Sequence, residues 1–217
     1  MQLYAHPFSS YCQKVLIALY ENATPFEWRQ LGPEATEVAA QFAALWPLRR
    51  MPLLVDRGRT VAESSIIVEY LDLEHPGPVR FLPAAARDAL EVRMLDRFFD
   101  QYVMTPMQRI VFDALRPPAN RDPHGVADAH ALLETAYDWL EPTLAGREWA
   151  AGATFGLADC AAAPALFYAD WVHEIGPTRP TLRAYRSRLL ARASFARAVD
   201  EARPYRAGFP LGAPDRD

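Results

Sequence analysis

The strongest constraint on the fold is a change of pattern at His75-Pro76-Gly77-Pro78. Before it, short apolar runs alternate with stretches whose apolar residues recur at helical spacing; after it, nothing reads as a strand. Leu3 to Ala5, Phe26 to Arg29, Leu53 to Val55 and Thr60 to Ala62 have strand character. Between and after them, Ser10 to Glu21, Glu34 to Leu45 and Ser64 to Glu74 have helical spacing. Asp56-Arg57-Gly58 reads as a hairpin turn. The spacing therefore predicts a βαβαββα domain over residues 1–75, a linker over 76–84 and an all-helical domain over 85–217. In the second domain, helices are expected from about Ala85 to Leu115, Gly125 to Leu144, Leu157 to Ile175 and Thr181 to Ala202, with Pro106 bending the first. An irregular tail follows from Pro204.

Composition narrows the function classes. With 217 residues and a net charge of −4, the chain has room for two small domains and no electrostatic footprint for nucleic acid. Lys14 is the only lysine, and the arginines are spread along the chain. Cys12 and Cys160 stand far apart and suggest free thiols in a reducing, cytoplasmic setting. No apolar run approaches the roughly 20 residues of a membrane span. No His/Cys/Asp cluster has metal spacing, and no glycine-rich phosphate loop is present.

Three short motifs carry the chemistry. Ser9-Ser10-Tyr11-Cys12 falls where a strand gives way to a helix. Unpaired N–H groups and the helix dipole favour negative charge there, and a serine hydroxyl can donate to a bound thiolate. Lowering a thiol pKa of about 8.5 by about two units needs roughly 2.7 kcal/mol. A helix start supplies about 0.3–1 kcal/mol and a hydrogen bond to a charged acceptor about 1.5–3, which suffices. The same serines also suit a plain helix cap. In Met51-Pro52, a cis bond would turn the Met51 backbone outward to pair with an extended peptide; an ordinary trans turn is the other reading. Glu63-Ser64-Ser65 opens a helix, where free N–H groups and a hydroxyl offer a carboxylate site and Glu63 can meet an adjacent ammonium. An acidic helix cap is the alternative there.

Together these residues resemble the cytosolic glutathione S-transferase superfamily over nearly the whole chain. Ser9-Ser10-Tyr11-Cys12-Gln13-Lys14-Val15 is similar to the zeta-class Ser-Ser-Cys-x-x-Arg-Val motif. Trp46-Pro47-Leu48-Arg49-Arg50-Met51-Pro52-Leu53-Leu54 is similar to the family's Asn-Pro-x-x-x-Val-Pro-x-Leu. The resemblance implies a thioredoxin-like first domain with Ser9, or Ser10 if the register slips by one, as the catalytic serine. It implies glutathione binding by Arg50, Met51, Pro52, Glu63 and Ser64. It also implies a homodimer, and conjugation of glutathione to a small electrophile. A zeta-type cis-trans isomerase of unsaturated diacids, with Arg49 as an extra cation, and a non-catalytic binding member are the alternatives.

Phe155-Gly156-Leu157-Ala158-Asp159 resembles the family's capping box, making Asp159 structural. Cys12 follows Ser9 by one helical turn and reads better as a buried small residue than as a site thiol. Tyr4 reads as core and His6 as turn. Among Phe98, Phe99, Tyr102, Met104 and Met107, Tyr102 is the expected contributor to a second-substrate pocket.

Overall fold

The computed structural model describes all 217 residues. Its first part holds β1 (Gln2–Ala5), α1 (Ser10–Glu21), β2 (Glu27–Gln30), α2 (Thr36–Leu45), β3 (Leu53–Asp56), β4 (Arg59–Ala62) and α3 (Ser64–Glu74). The four strands form one sheet in the order β2-β1-β3-β4, with β1 parallel to β2 and antiparallel to β3. Strand alternation divides the side chains between two faces. Leu3, Ala5 and Leu54 join the main core with residues of α1 and α3, whereas Tyr4 and Leu53 meet Phe42 of α2 on the other face. Tyr4 is thus a core residue, stacked on Phe42 at 6.1 Å between ring centroids. The β3–β4 turn has φ of 49° at Arg57 and 79° at Gly58, the positive pair that a two-residue hairpin of right-handed twist requires.

The remaining helices are α4 (Ala86–Phe98), α5 (Thr105–Ala114), α6 (Pro123–Thr143), α7 (Leu157–Val172), α8 (Pro180–Leu190) and α9 (Ala193–Ala202). Two differ from the sequence expectation. The irregularity expected at Pro106 lies upstream, as a π-helical stretch over Phe99–Met104 joining α4 to α5. Pro106 itself occupies the first turn of α5, where a missing N–H costs nothing, and the widened turn precedes it. The last long helix is broken at Arg192, whose backbone turns extended and whose guanidinium pairs with Glu21 of α1 at 2.6 Å. The tail is also more regular than expected, with a 3-10 stretch over Arg203–Gly208.

Helix α7 runs through the centre of the helical part and is buried nearly throughout. Asp159 caps it, accepting from the Gly156 N–H at 2.9 Å, the Ala150 N–H at 2.8 Å and the Tyr185 hydroxyl at 2.6 Å. Gly156 stands where the motif has Ser or Thr because a Cβ there would lie 2.9 Å from the Phe81 carbonyl oxygen.

The two parts are joined across α1. Lys14 is 1 % exposed, and its ammonium contacts Asp96 at 2.5 Å, Asp100 at 2.8 Å and the Ser65 hydroxyl at 2.8 Å. Arg97 adds a second cation against the same two carboxylates. Removing one partner of a buried pair leaves an uncompensated charge, at a cost of about 3–5 kcal/mol. Lys14→Met is expected to lower the unfolding free energy by about that amount in urea titrations. A loss under about 1 kcal/mol, the range of exposed pairs, would contradict this reading of the cluster.

Candidate functional site

A cavity of about 640 Å³ opens between the loops that follow β1, α2 and β4 and the helical part. Ser9, Ser10, Arg49, Arg50, Met51, Pro52, Glu63 and Ser64 all line it, so the three motifs converge although they are spread over 56 positions (from 9 to 64, inclusive) of the chain.

The first wall follows from the end of β1. After the His6-Pro7-Phe8 turn, Ser9 takes an extended backbone (φ −86°, ψ 122°) as the N-cap of α1, and its side chain makes no capping bond. Its carbonyl accepts the Gln13 N–H at 2.9 Å, while the Ser10, Tyr11 and Cys12 N–H groups have no backbone partner. A hydroxyl not used for capping, with the Cys12 thiol beside it, thus stands near the positive end of a 12-residue helix. Ser10 is more enclosed, 6 % exposed. Cys12 is fully buried, and burial pushes its thiol up to about 11 against the lowering effect of the neighbouring Ser9 hydroxyl. That environment leaves it protonated. His6 is a turn residue whose Nδ1 accepts the Phe8 N–H at 3.1 Å and whose ring meets Tyr205 edge-on.

The second wall is Met51-Pro52, whose peptide bond is cis. The Met51 backbone has no hydrogen bond within the chain, so both its polar groups are open to a ligand. Arg49 and Arg50, just before, are exposed and have no acidic partner.

Glu63 forms the third. Its φ of 71° with ψ of 118° is a strained conformation for a non-glycine residue, costing on the order of 1–3 kcal/mol. Strain of this kind concentrates at ligand-binding positions. The turn places Ser64 at the head of α3, where the Ser64, Ser65 and Ile66 N–H groups have no backbone partner. Ser65 does not join the cavity: its hydroxyl donates to Asp96 at 2.8 Å within the Lys14 cluster.

The opposite wall was largely hidden from sequence reasoning. Gln101, Thr105 and Gln108 present a polar face of the π stretch and α5, continued outward by Val111, Phe112 and Leu115. Their polar–apolar recurrence at helical spacing was the available signal. Tyr102, the residue expected there, does not line the cavity. It is 46 % exposed and packs on Phe98 at 5.2 Å, because the π stretch rotates it off the cavity face. Met107 lines the cavity, whereas Phe98, Phe99 and Met104 do not. Tyr11 also lines it, as does Phe209 of the tail, which packs edge-on against Trp171 at 5.1 Å. No group of three or more metal-ligating side chains occurs.

The family model for the glutathione S-transferase N-terminal domain matches residues 3–79, and that for the C-terminal domain matches 103–193. A glutathione S-transferase from Methylobacterium radiotolerans, solved in complex with glutathione sulfonate, is 30 % identical, with 91 % of this chain and 93 % of that one covered and a TM-score of 0.79. The chain belongs to the glutathione S-transferase family. Among curated relatives, a stringent starvation protein A homolog of Haemophilus influenzae is 27 % identical over 94 % of this chain and 92 % of its own length. Glutathione S-transferase GstB of Escherichia coli is also 27 % identical, over 88 % and 93 %. The fold of this family, a thioredoxin-like sheet domain followed by an all-helical one, is the fold described above. No helix is long and apolar enough to cross a membrane.

Proposed function

We propose that the chain is a cytoplasmic glutathione transferase that joins the glutathione thiolate to a small electrophile. The observation that carries this reading is the convergence of two helix starts with unpartnered N–H groups, those of α1 and α3, on one cavity. Residues 1–75 form the glutathione-binding unit and 85–217 the cover, joined by 76–84. Ser9 donates to the thiolate at the head of α1, with Ser10 beside it. The open Met51 backbone, set by Pro52, pairs with the cysteinyl backbone of the tripeptide. Ser64 and the α3 start take the γ-glutamyl carboxylate, Glu63 takes its ammonium, and Arg50 faces the glycyl carboxylate. Glutathione is then a co-substrate, and no metal takes part.

Two further readings have an observation behind them. Arg49 lines the cavity without an acidic partner, which suits a cis-trans isomerase acting on an unsaturated diacid. The starvation-protein relatives, whose name states no transfer reaction, favour a non-catalytic binding member.

The roles separate in one experiment. Ser9→Ala removes a hydrogen bond made to the thiolate and not to the peptide frame. It is expected to lower kcat by about 10- to 100-fold while the glutathione Kd weakens far less, by a few-fold at neutral pH through the lost thiol ionisation. Equal, negligible effects on both would contradict the role of Ser9, and activity absent from the parent protein would favour the binding reading.

The family resemblance to a homodimer has a physical counterpart. Ile66 and Leu73 of α3 and Leu90 and Met94 of α4 are exposed apolar side chains at 52, 74, 67 and 46 %. We expect two copies to cover them, and sedimentation is expected to give twice the 24.4 kDa chain mass; a monomer at micromolar concentration would contradict it.

A further inference from the structure

Away from the cavity, two histidines face each other through the same ring nitrogen. His130 lies within α6, and His173 directly follows α7; they are 43 positions apart in the chain. Their Nδ1 atoms are 3.1 Å apart, with the ring planes inclined at 44°. Both residues are half-buried, and neither lines the cavity.

Glu134, one turn beyond His130 on α6, decides which ring atoms carry protons. One of its oxygens meets Arg179 at 2.5 Å and the other meets His173 Nε2 at 2.6 Å. Hydrogen bonds from Arg179 and then His173 hold this carboxyl below its ordinary range, so it is ionised and only accepts. His173 therefore carries its proton on Nε2, and in the neutral ring Nδ1 offers a lone pair toward His130. In the chain alone, His130 Nδ1–H donates to that lone pair. Burial, and then the nearby His173, lower the affinity of His130 for a second proton, which keeps its ring neutral near pH 7. His130 Nε2 has no partner within the chain, so the proton can pass to that nitrogen and free Nδ1 as well.

Two converging lone pairs are the donor set of a metal ion. At metal–nitrogen distances of about 2.0–2.1 Å, imidazoles in adjacent coordination positions stand about 2.8–3.4 Å apart. The observed 3.1 Å lies inside that range. Glu134 behind His173 repeats the arrangement in which a metal-bound imidazole donates its other N–H to a carboxylate. Local charge also favours a cation. Arg179 is bonded to both Glu134 and Asp138, which leaves a net negative charge behind the pair. The remaining titratable neighbour, Tyr137, is neutral and donates to the His173 carbonyl at 3.1 Å. No third metal-ligating side chain joins the two rings, so water fills the other positions.

We propose that His130 and His173 form a two-imidazole site for a divalent ion of the zinc, nickel and copper type. Imidazole suits these ions, whereas magnesium and calcium require oxygen ligands. The bound ion clasps α6 to the end of α7 and stabilises the folded chain by mass action. It touches no residue of the cavity, so the proposal stands independently of the transferase reading.

The test adds zinc chloride to the full-length protein, freed of metal by a chelator, and follows heat and Tm. The parent is expected to bind one zinc per chain, with Tm rising as zinc is added, and to respond to magnesium chloride with neither signal. His124, 90 % exposed on the same helix, supplies the control: His124→Gln should behave as the parent. His130→Gln and His173→Gln should lose both signals, and the Tm without metal shows whether each variant folds. In the parent, nitrogen NMR of the imidazoles should show zinc at Nδ1 of both rings. Zinc binding that persists in His130→Gln, or vanishes in His124→Gln, would mean an adventitious ion only and overturn the proposal. So would a parent that binds no zinc at millimolar concentration. Should His173→Gln not fold, His130→Gln and the nitrogen spectra decide the matter.

Discussion

A single buried ammonium fixes the geometry on which everything else in this molecule depends. Lys14 lies one helical turn beyond Ser10, and its charge meets Asp96, Asp100 and Ser65, which belong to α4, the π stretch and α3. Desolvating an ammonium and two carboxylates costs several kcal/mol per ion, so the arrangement is stable only with all partners in place. Arg97 brings the local charge to balance. Burial still pushes the Asp100 carboxyl upward, with Lys14 acting in the opposite direction. The cluster thereby sets the distance between the heads of α1 and α3, the two helix starts that face the cavity.

From that anchoring follows the position of the cavity at the junction of the two parts. The sheet domain contributes backbone: free N–H groups at two helix heads, the open Met51 peptide and the strained turn at Glu63. The helical domain contributes side chains, from Arg97 to Leu115, and the tail adds Phe209. On the proposed reading, this division suits a reaction with one constant and one variable partner: backbone groups would hold the peptide, and the second substrate would meet side chains that can vary without disturbing the frame.

Legibility in the sequence followed the range of the interactions. The hairpin at Asp56-Arg57-Gly58, the Ser9 cap and the Glu63-Ser64 helix start are local devices, determined within a few residues, and each was readable as such. Family resemblance supplied their joint meaning, since each motif alone reads as a turn or a cap. Long-range features were not readable. Lys14 stood out only as a lone lysine, because its partners lie 51 to 86 positions away. Tyr102 lies inside the π-helical stretch, whose turn differs from that of a regular helix, so helical spacing alone does not give the face it presents. Nothing local in the Pro- and Gly-rich tail marks Phe209 as a wall of the site.

The central claim is that the head of α1, with Ser9, stabilises a bound thiolate. Its most direct measurement is calorimetric titration with glutathione and with S-methylglutathione, in buffers of different ionisation enthalpy near neutral pH. The account predicts saturable binding of both, with a proton released to buffer for glutathione and none for the methylated peptide. Binding of both with no proton release would leave a peptide site without thiol activation and contradict the account.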